Sequence, residues 1–141
     1  MVTKIVHGTA IALEDKGVLL IGPSGSGKSD LALRLIDSGA TLISDDQIIC
    51  ERRNDEIFLF PHKKINGLIE VRGVGIIKVP YIENVKLKMI VQLINEQPER
   101  IPVKEEKNFL NLKIKFIKII GKEASSTAKV KIKLFEEIID D

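Results

Sequence analysis

Gly22-Pro23-Ser24-Gly25-Ser26-Gly27-Lys28-Ser29 satisfies G-x-x-x-x-G-K-[ST] in full. Glycines let the main chain fold tightly enough for successive N–H groups to point inward at phosphate oxygens. Lys28 supplies a mobile positive charge for β and γ phosphates, and Ser29 offers a hydroxyl to Mg²⁺. A helix beginning at Ser29 aims its positive end at the same phosphates. The expected ligand is a nucleoside triphosphate, held by Gly22, Ser24, Gly25, Ser26, Gly27, Lys28 and Ser29.

Two further groups carry charge that could act on that ligand. Asp45-Asp46 follows the apolar run Thr41-Leu42-Ile43, so both carboxylates leave a strand end close to the phosphate loop. Adjacent residues on extended backbone point to opposite sides, which gives the two different tasks: one faces Mg²⁺ and the other an incoming hydroxyl. A polar turn after a strand is the plain alternative. Glu70 and Arg72 interrupt the apolar stretch Ile69–Ile76 and, two apart, share one face of a strand. Buried charges need a partner, a metal or a phosphate. Glu70 is therefore a candidate metal ligand and Arg72 a phosphate clamp, against a plain ion pair. His7, Cys50 and His62 read as structural from the residues alone, Cys50 as a small buried apolar side chain.

The elements that must position these groups are legible in the apolar pattern. Val2 to Leu13 is β-prone and breaks at Glu14-Asp15-Lys16-Gly17, a hairpin turn. Val18–Ile21 is a continuous apolar run, the mark of a strand buried on both faces. Leu31, Ala32, Leu35 and Ile36 recur at helical spacing, and Gly39 suits the helix end. Strand, loop, helix and the short strand at Thr41–Ile43 form a βαβ unit. Two strands are expected between Ile48 and Phe60 around Asn54-Asp55. Val85, Leu87, Met89, Val91 and Leu93 alternate as a strand with one packed face. The polar stretch 96–108 is expected to be a mobile surface loop. Leu112, Ile114 and Phe116 mark another strand. A C-terminal helix over 125–139 is expected, capped by Ser126 or Thr127, with Val130, Leu134 and Ile138 on one side; its lysine alternation also permits a strand.

The chain has 141 residues, 44% of them apolar and 30% charged, enough for the core of a single domain. Twenty-two basic against 20 acidic residues leave a net charge of +2, which argues against a nucleic-acid binder. No run reaches the roughly 18 to 20 apolar residues of a membrane span, and the first residues lack the pattern of a signal peptide. One cysteine cannot form an internal disulfide. These features fit a soluble, cytoplasmic protein. The lysines Lys113, Lys115, Lys118, Lys129, Lys131 and Lys133 are expected on solvated faces.

His7-Gly8, the Gly22–Ser29 loop, Ser44-Asp45-Asp46 and Gly67-Leu-Ile-Glu70-Val-Arg72-Gly-Val-Gly75 occur in an order and spacing that resembles the HPr kinase/phosphorylase family, over about residues 4 to 95. The resemblance implies an α/β P-loop domain of the HPr kinase/phosphoenolpyruvate carboxykinase-like type. Such a domain has a β-rich sheet, a phosphate-loop helix and a C-terminal helix, here as one domain over residues 1–141. It also implies ATP and Mg²⁺ as cofactors, a serine of HPr or an HPr-like phosphocarrier of the sugar phosphotransferase system as substrate, reversal by phosphate, and a homo-oligomer. Carried over, Asp45 would be the general base with His7 beside it. Lys28 would hold the phosphates, Ser29, Asp46 and Glu70 would arrange Mg²⁺, and Arg72 would stabilise the transferring phosphoryl group.

Two departures qualify the resemblance. Full-length members carry an N-terminal domain, whereas this sequence begins at the catalytic one, a form similar to those of bacteria with an incomplete sugar transport system. The family's Pro-Gly-Arg-Asn type segment corresponds to residues 119–126, which contain no arginine. Kinase activity is thus expected above phosphorolysis, and metabolite regulation is expected to be absent. The alternatives are a small-molecule kinase or carboxykinase-like enzyme, and a non-catalytic ATP-binding regulatory module.

Overall fold

A computed structural model describes residues 2–102 and 105–136. Along the chain run β1 (Val2–Leu13), β2 (Lys16–Ile21), α1 (Lys28–Asp37), β3 (Thr41–Arg53), β4 (Glu56–Pro61), β5 (Leu68–Val71), β6 (Gly75–Lys78), β7 (Val85–Leu93), β8 (Glu106–Phe109), β9 (Leu112–Ile119) and α2 (Ser126–Phe135). The main sheet has the order β2-β1-β3-β4-β7-β9-β8, and β2 also pairs with β7. Those pairings close β1, β2, β7, β4 and β3 into a ring. The β9–β8 pair extends outward from β7, while β5 and β6 form a separate hairpin.

The expected βαβ unit takes a split form. β1 inserts between β2 and β3 and runs antiparallel to both, so the two strands flanking the phosphate-loop helix are parallel but not neighbours. β3 is also longer than expected. It continues through Asp45-Asp46 without the break placed there, because β1 pairs along it from Val2↔Arg52 to Ala12↔Thr41. A register shift after Ala10↔Ser44 leaves Ile43 without a partner.

Alternation in the central strands feeds two cores. Ile11, Leu13, Val18 and Leu20 pack with Leu31, Leu35, Val130 and Leu134 of the helices. Ala10, Ala12 and Leu19 pack with Ile48, Cys50, Leu59 and Phe116 on the other side. β7 departs from the single packed face expected of it. Met89, Val91 and Leu93 join the helix-side core, and Val85, Leu87 and Ile90 the opposite one. The register against β2 steps from Gly17↔Leu87 to Val18↔Met89, and the skipped Lys88 reverses the alternation.

Capping sets the helix limits. After α1, the Gly39 N–H bonds the Ile36 carbonyl and the Ala40 N–H the Leu35 carbonyl, the paired bonds of a Schellman motif, with Gly39 at φ 115. The C-terminal segment is helical, with Ser125 at the N-cap in place of Ser126 or Thr127. Ser126 is buried and its hydroxyl donates to the Ile120 carbonyl instead. Val130 and Leu134 are buried as expected, while Ile138 lies outside the described residues.

Part of the expected 96–108 loop is the strand β8, an edge paired with β9 from Glu106↔Lys115 to Phe109↔Leu112. Its charged residues gave no apolar alternation, as suits an edge. Of the lysines, Lys113, Lys118 and Lys129 are exposed, whereas Lys115, Lys131 and Lys133 are half-buried, and Lys115 donates to the Lys133 carbonyl at 3.0 Å. Among the described residues no helix is long and apolar enough to cross a membrane.

Candidate active site

The loop after β2 and the first turn of α1 open one wall of a cleft of about 1060 Å³. Gly27 stands at the N-cap of α1 with φ 97, a left-handed conformation that glycine adopts without strain. The loop closes on itself through the Ser26 N–H to the Pro23 carbonyl at 3.1 Å. Lys28 folds back over it, donating from Nζ to the Gly22 carbonyl at 2.8 Å and the Pro23 carbonyl at 3.2 Å. Ser26 Oγ is buried and has no hydrogen-bond partner among the described residues. A loop of backbone donors at a helix N-terminus, with an ammonium bonded only to carbonyls that an anion could outcompete, fits a phosphate chain.

The two aspartates have different surroundings. Asp45 is buried; its Oδ1 accepts from the Ser29 hydroxyl at 2.8 Å and the Thr9 hydroxyl at 2.9 Å. Its Oδ2 accepts from the Glu70 backbone N–H at 3.2 Å. Asp46 is exposed, and its Oδ1 accepts from His7 Nε2 at 2.9 Å. The expectation that His7 lies beside Asp45 is therefore corrected: it lies on Asp46. The expected grouping of Ser29 with Asp46 is likewise replaced by Ser29 with Asp45. The cause is register. β1 sets Thr9 opposite Asp45 and Gly8 opposite Asp46, leaving His7 one position further on. Both aspartates line the cleft, an arrangement strict alternation would not give, and Asp46 departs from strand geometry with φ 73.

The hairpin of β5 and β6 forms the opposite wall. Glu70 lies in β5, but Arg72 falls in the turn before β6, so the two do not share a strand face. Both are exposed and no ion pair joins them, which removes the burial argument made from the sequence. Each lines the cleft, Glu70 through its neighbour contact with Asp45 and Arg72 on the rim.

Thr9 and Lys122 are among the lining residues that escaped the sequence reading. Thr9 gave no signal, because its role depends on pairing with a strand far along the chain. Lys122 lies in the turn between β9 and α2, in the segment noted only for lacking arginine. It enters the site because β9 pairs parallel to β7, a long-range pairing that leaves no local signal in the sequence.

Mg²⁺ takes oxygen ligands and keeps several waters, so one or two carboxylates beside substrate phosphates suffice. The Asp45–Ser29 pair with Glu70 nearby fits that chemistry. No three His, Cys, Asp or Glu side chains converge as a ready-made metal cage among the described residues.

Comparison with known proteins places the chain in a family. The model of the HPr Serine kinase C-terminal domain matches residues 1–134. An HPr kinase/phosphorylase of Malacoplasma penetrans is 36% identical over 101 residues, covering 67% of this chain and 34% of that protein. One of Prosthecochloris aestuarii is 33% identical over 121 residues, covering 82% of this chain and 35% of that protein. The chain thus spans about a third of the length of the curated relatives it matches. The fold is similar to that of the Hpr(Ser) kinase/phosphatase from Coxiella burnetii, with a TM-score of 0.79 at 23% identity over 92% of this chain and 93% of that one. From the mixed α/β architecture and this match along nearly its whole length, the chain belongs to the HPr serine kinase C-terminal domain family.

Proposed function

We propose that this chain is an ATP- and Mg²⁺-dependent protein-serine kinase acting on HPr or an HPr-like phosphocarrier, in the cytoplasm, as a domain spanning residues 1–141. Family membership supports the reaction class. The observation that carries the mechanism is the separation of the two aspartates, Asp45 buried and tied to Ser29 at the phosphate loop and Asp46 exposed and bonded to His7.

In this reading the loop N–H groups and Lys28 hold the phosphates of ATP, Lys28 exchanging its carbonyl partners for phosphate oxygens. Ser29, Asp45 and Glu70 would hold Mg²⁺, which when bound would neutralise charge on the phosphates. We assign the general base to Asp46 in place of Asp45, the residue that the resemblance implies. Asp45 is buried with both oxygens already accepting hydrogen bonds, whereas Asp46 is exposed and His7 occupies only its Oδ1. The substrate serine gives its proton to Asp46 as its oxygen forms a bond to the γ phosphorus, the bond from that phosphorus to the bridging oxygen breaks, and ADP leaves. Arg72, on the opposite rim, contributes positive charge to the transferring group. The reverse reaction uses protonated Asp46 as the acid. Exposed Val74, Ile76, Tyr81 and Ile82 offer apolar surface for the homo-oligomer that belongs to this reading.

The test is to incubate the protein with HPr, ATP and Mg²⁺ and read the intact mass of HPr, with Asp46→Asn as control. One added phosphoryl group on serine, absent with the variant, is the expected result. Unmodified HPr in the presence of bound ATP would remove the substrate assignment.

A further inference from the structure

The turn between β9 and α2 is irregular, yet it is fastened to the phosphate loop on several sides. Arg34, on α1, donates from Nη1 to the Glu123 carbonyl at 3.1 Å and from Nη2 to the Gly121 carbonyl. Asp30 steadies the same guanidinium, accepting from Nε at 3.1 Å. The Gly121 backbone sits directly on the loop: a Cβ there would lie 3.0 Å from the Ser26 carbonyl and 2.7 Å from Leu93 Cδ1.

This fastening brings Lys122 across the start of α1. A Cβ on Gly27 would meet Lys122 Cγ at 3.4 Å and Cε at 4.0 Å, so the lysine stem runs over the N-cap. Lys122 lines the same cleft as Lys28, Ser29 and Asp45. It is exposed and has no ion-pair partner among the described residues; the neighbouring Glu123 is paired with Lys129 and Asp30 with Arg34. A helix N-terminus carries positive partial charge and favours anions. A second ammonium over that terminus, in the cleft that Lys28 also lines, is electrostatically unfavourable unless an anion is bound there. The cleft that Lys122 lines is lined also by Asp45 and Asp46.

We propose that Lys122 is a second cation of the phosphate site that binds the terminal phosphoryl group of the nucleotide, and that Arg34 is the positioning residue that holds it there. The proposal rests on the reading of the loop as a nucleoside triphosphate site. Lys122 then distinguishes triphosphate from diphosphate, while Lys28 and the loop N–H groups hold what the two nucleotides share.

The test compares affinities for Mg-ATP and Mg-ADP by calorimetry for the unaltered protein, Lys122→Ala, Lys122→Arg and Arg34→Gln. The expected result is a loss of roughly tenfold or more in ATP affinity for Lys122→Ala, with ADP affinity within about twofold. Lys122→Arg recovers most of the loss, and Arg34→Gln reproduces the selective loss although Lys122 is intact. Equal losses for ATP and ADP would make Lys122 a packing residue of the loop and overturn the proposal. Unchanged affinity for both would overturn it while leaving the nucleotide site standing. An unaltered protein that binds neither nucleotide would remove the nucleotide reading and this proposal together.

Discussion

The Ser29 hydroxyl donates to Asp45 Oδ1 at 2.8 Å, joining the first turn of the phosphate-loop helix to the middle of β3. Asp45 is thereby committed to the interior of the site, and the next carboxylate, Asp46, faces the rim with His7. Adjacent residues of one chemical type have been given separate surroundings, so substitutions at the two positions should fail in different ways.

Asp46→Asn keeps the shape of the side chain and its contact with His7 but cannot accept a proton as a carboxylate does. Turnover should fall about 10²- to 10⁴-fold, the range for losing a general base, with ATP affinity little changed. Asp45→Asn should instead weaken binding of ATP in the presence of Mg²⁺, because an acceptor shared by Ser29, Thr9 and the Glu70 N–H loses its charge. Parallel measurements of turnover and nucleotide affinity separate the two. A base role for Asp45 would show as the reverse pattern.

Thr9 is the buried anchor of Asp45, donating from its hydroxyl at 2.9 Å. Thr9→Val preserves the branched shape and removes the donor, leaving part of a buried carboxylate unpaired. Unfolding free energy should drop by about 1–3 kcal/mol in a denaturant titration, and Thr9→Ser should recover most of it. Equal stability of the valine and threonine forms would mean that Asp45 finds another donor.

Gly121→Ala tests the contact between the β9–α2 turn and the phosphate loop. Leu93 can move its methyl group away, but the Ser26 carbonyl, 3.0 Å from the added carbon, belongs to the loop backbone. Overpacking of this kind costs about 1–3 kcal/mol. The expected outcome is a lower melting temperature with a weakened nucleotide affinity, since the strain is passed to the loop proposed to hold the phosphates. Lower stability with unaltered affinity would place the relief wholly at Leu93.

The sequence disclosed the features that depend on near neighbours. Gly22–Ser29 and the apolar run Val18–Ile21 are local patterns, and both specify their conformation within a few residues. The partners of Asp45 and Asp46 were not legible, because they follow from the register of β1 on β3, which joins Thr9 to a residue 36 positions away. Arg72 was misplaced for a related reason: the turn Arg72–Val74 leaves the strand one residue earlier than the apolar pattern suggests. Lys122 enters the site through the parallel pairing of β9 with β7, which no local pattern announces. The skipped Lys88 in β7 likewise shows only when β2 is laid beside it.

Cys50 gives a prediction about the fold alone. It is fully buried in the core opposite the helices, and burial pushes its thiol up to about 12 from an ordinary 9.0, with Lys4 acting weakly in the other direction. Thiolate is the reactive form, so alkylation of the folded protein should be very slow at pH 8 and should become rapid in denaturant, as read by intact mass. The sign for stability follows from the same shift. Below pH 9 the thiol is protonated in both folded and unfolded chains and contributes no pH dependence. Above it the unfolded thiol ionises while the folded one stays protonated, so the unfolded state is favoured and stability falls progressively as pH rises from about 9 towards 12. Cys50→Ala removes this ionisation. Its denaturation midpoint should therefore lie below that of the parent near neutral pH, where a small cavity is the only difference, and the gap should narrow in the alkaline range. A gap that stays constant from pH 8 to pH 11 would mean that the folded thiol ionises as readily as the unfolded one.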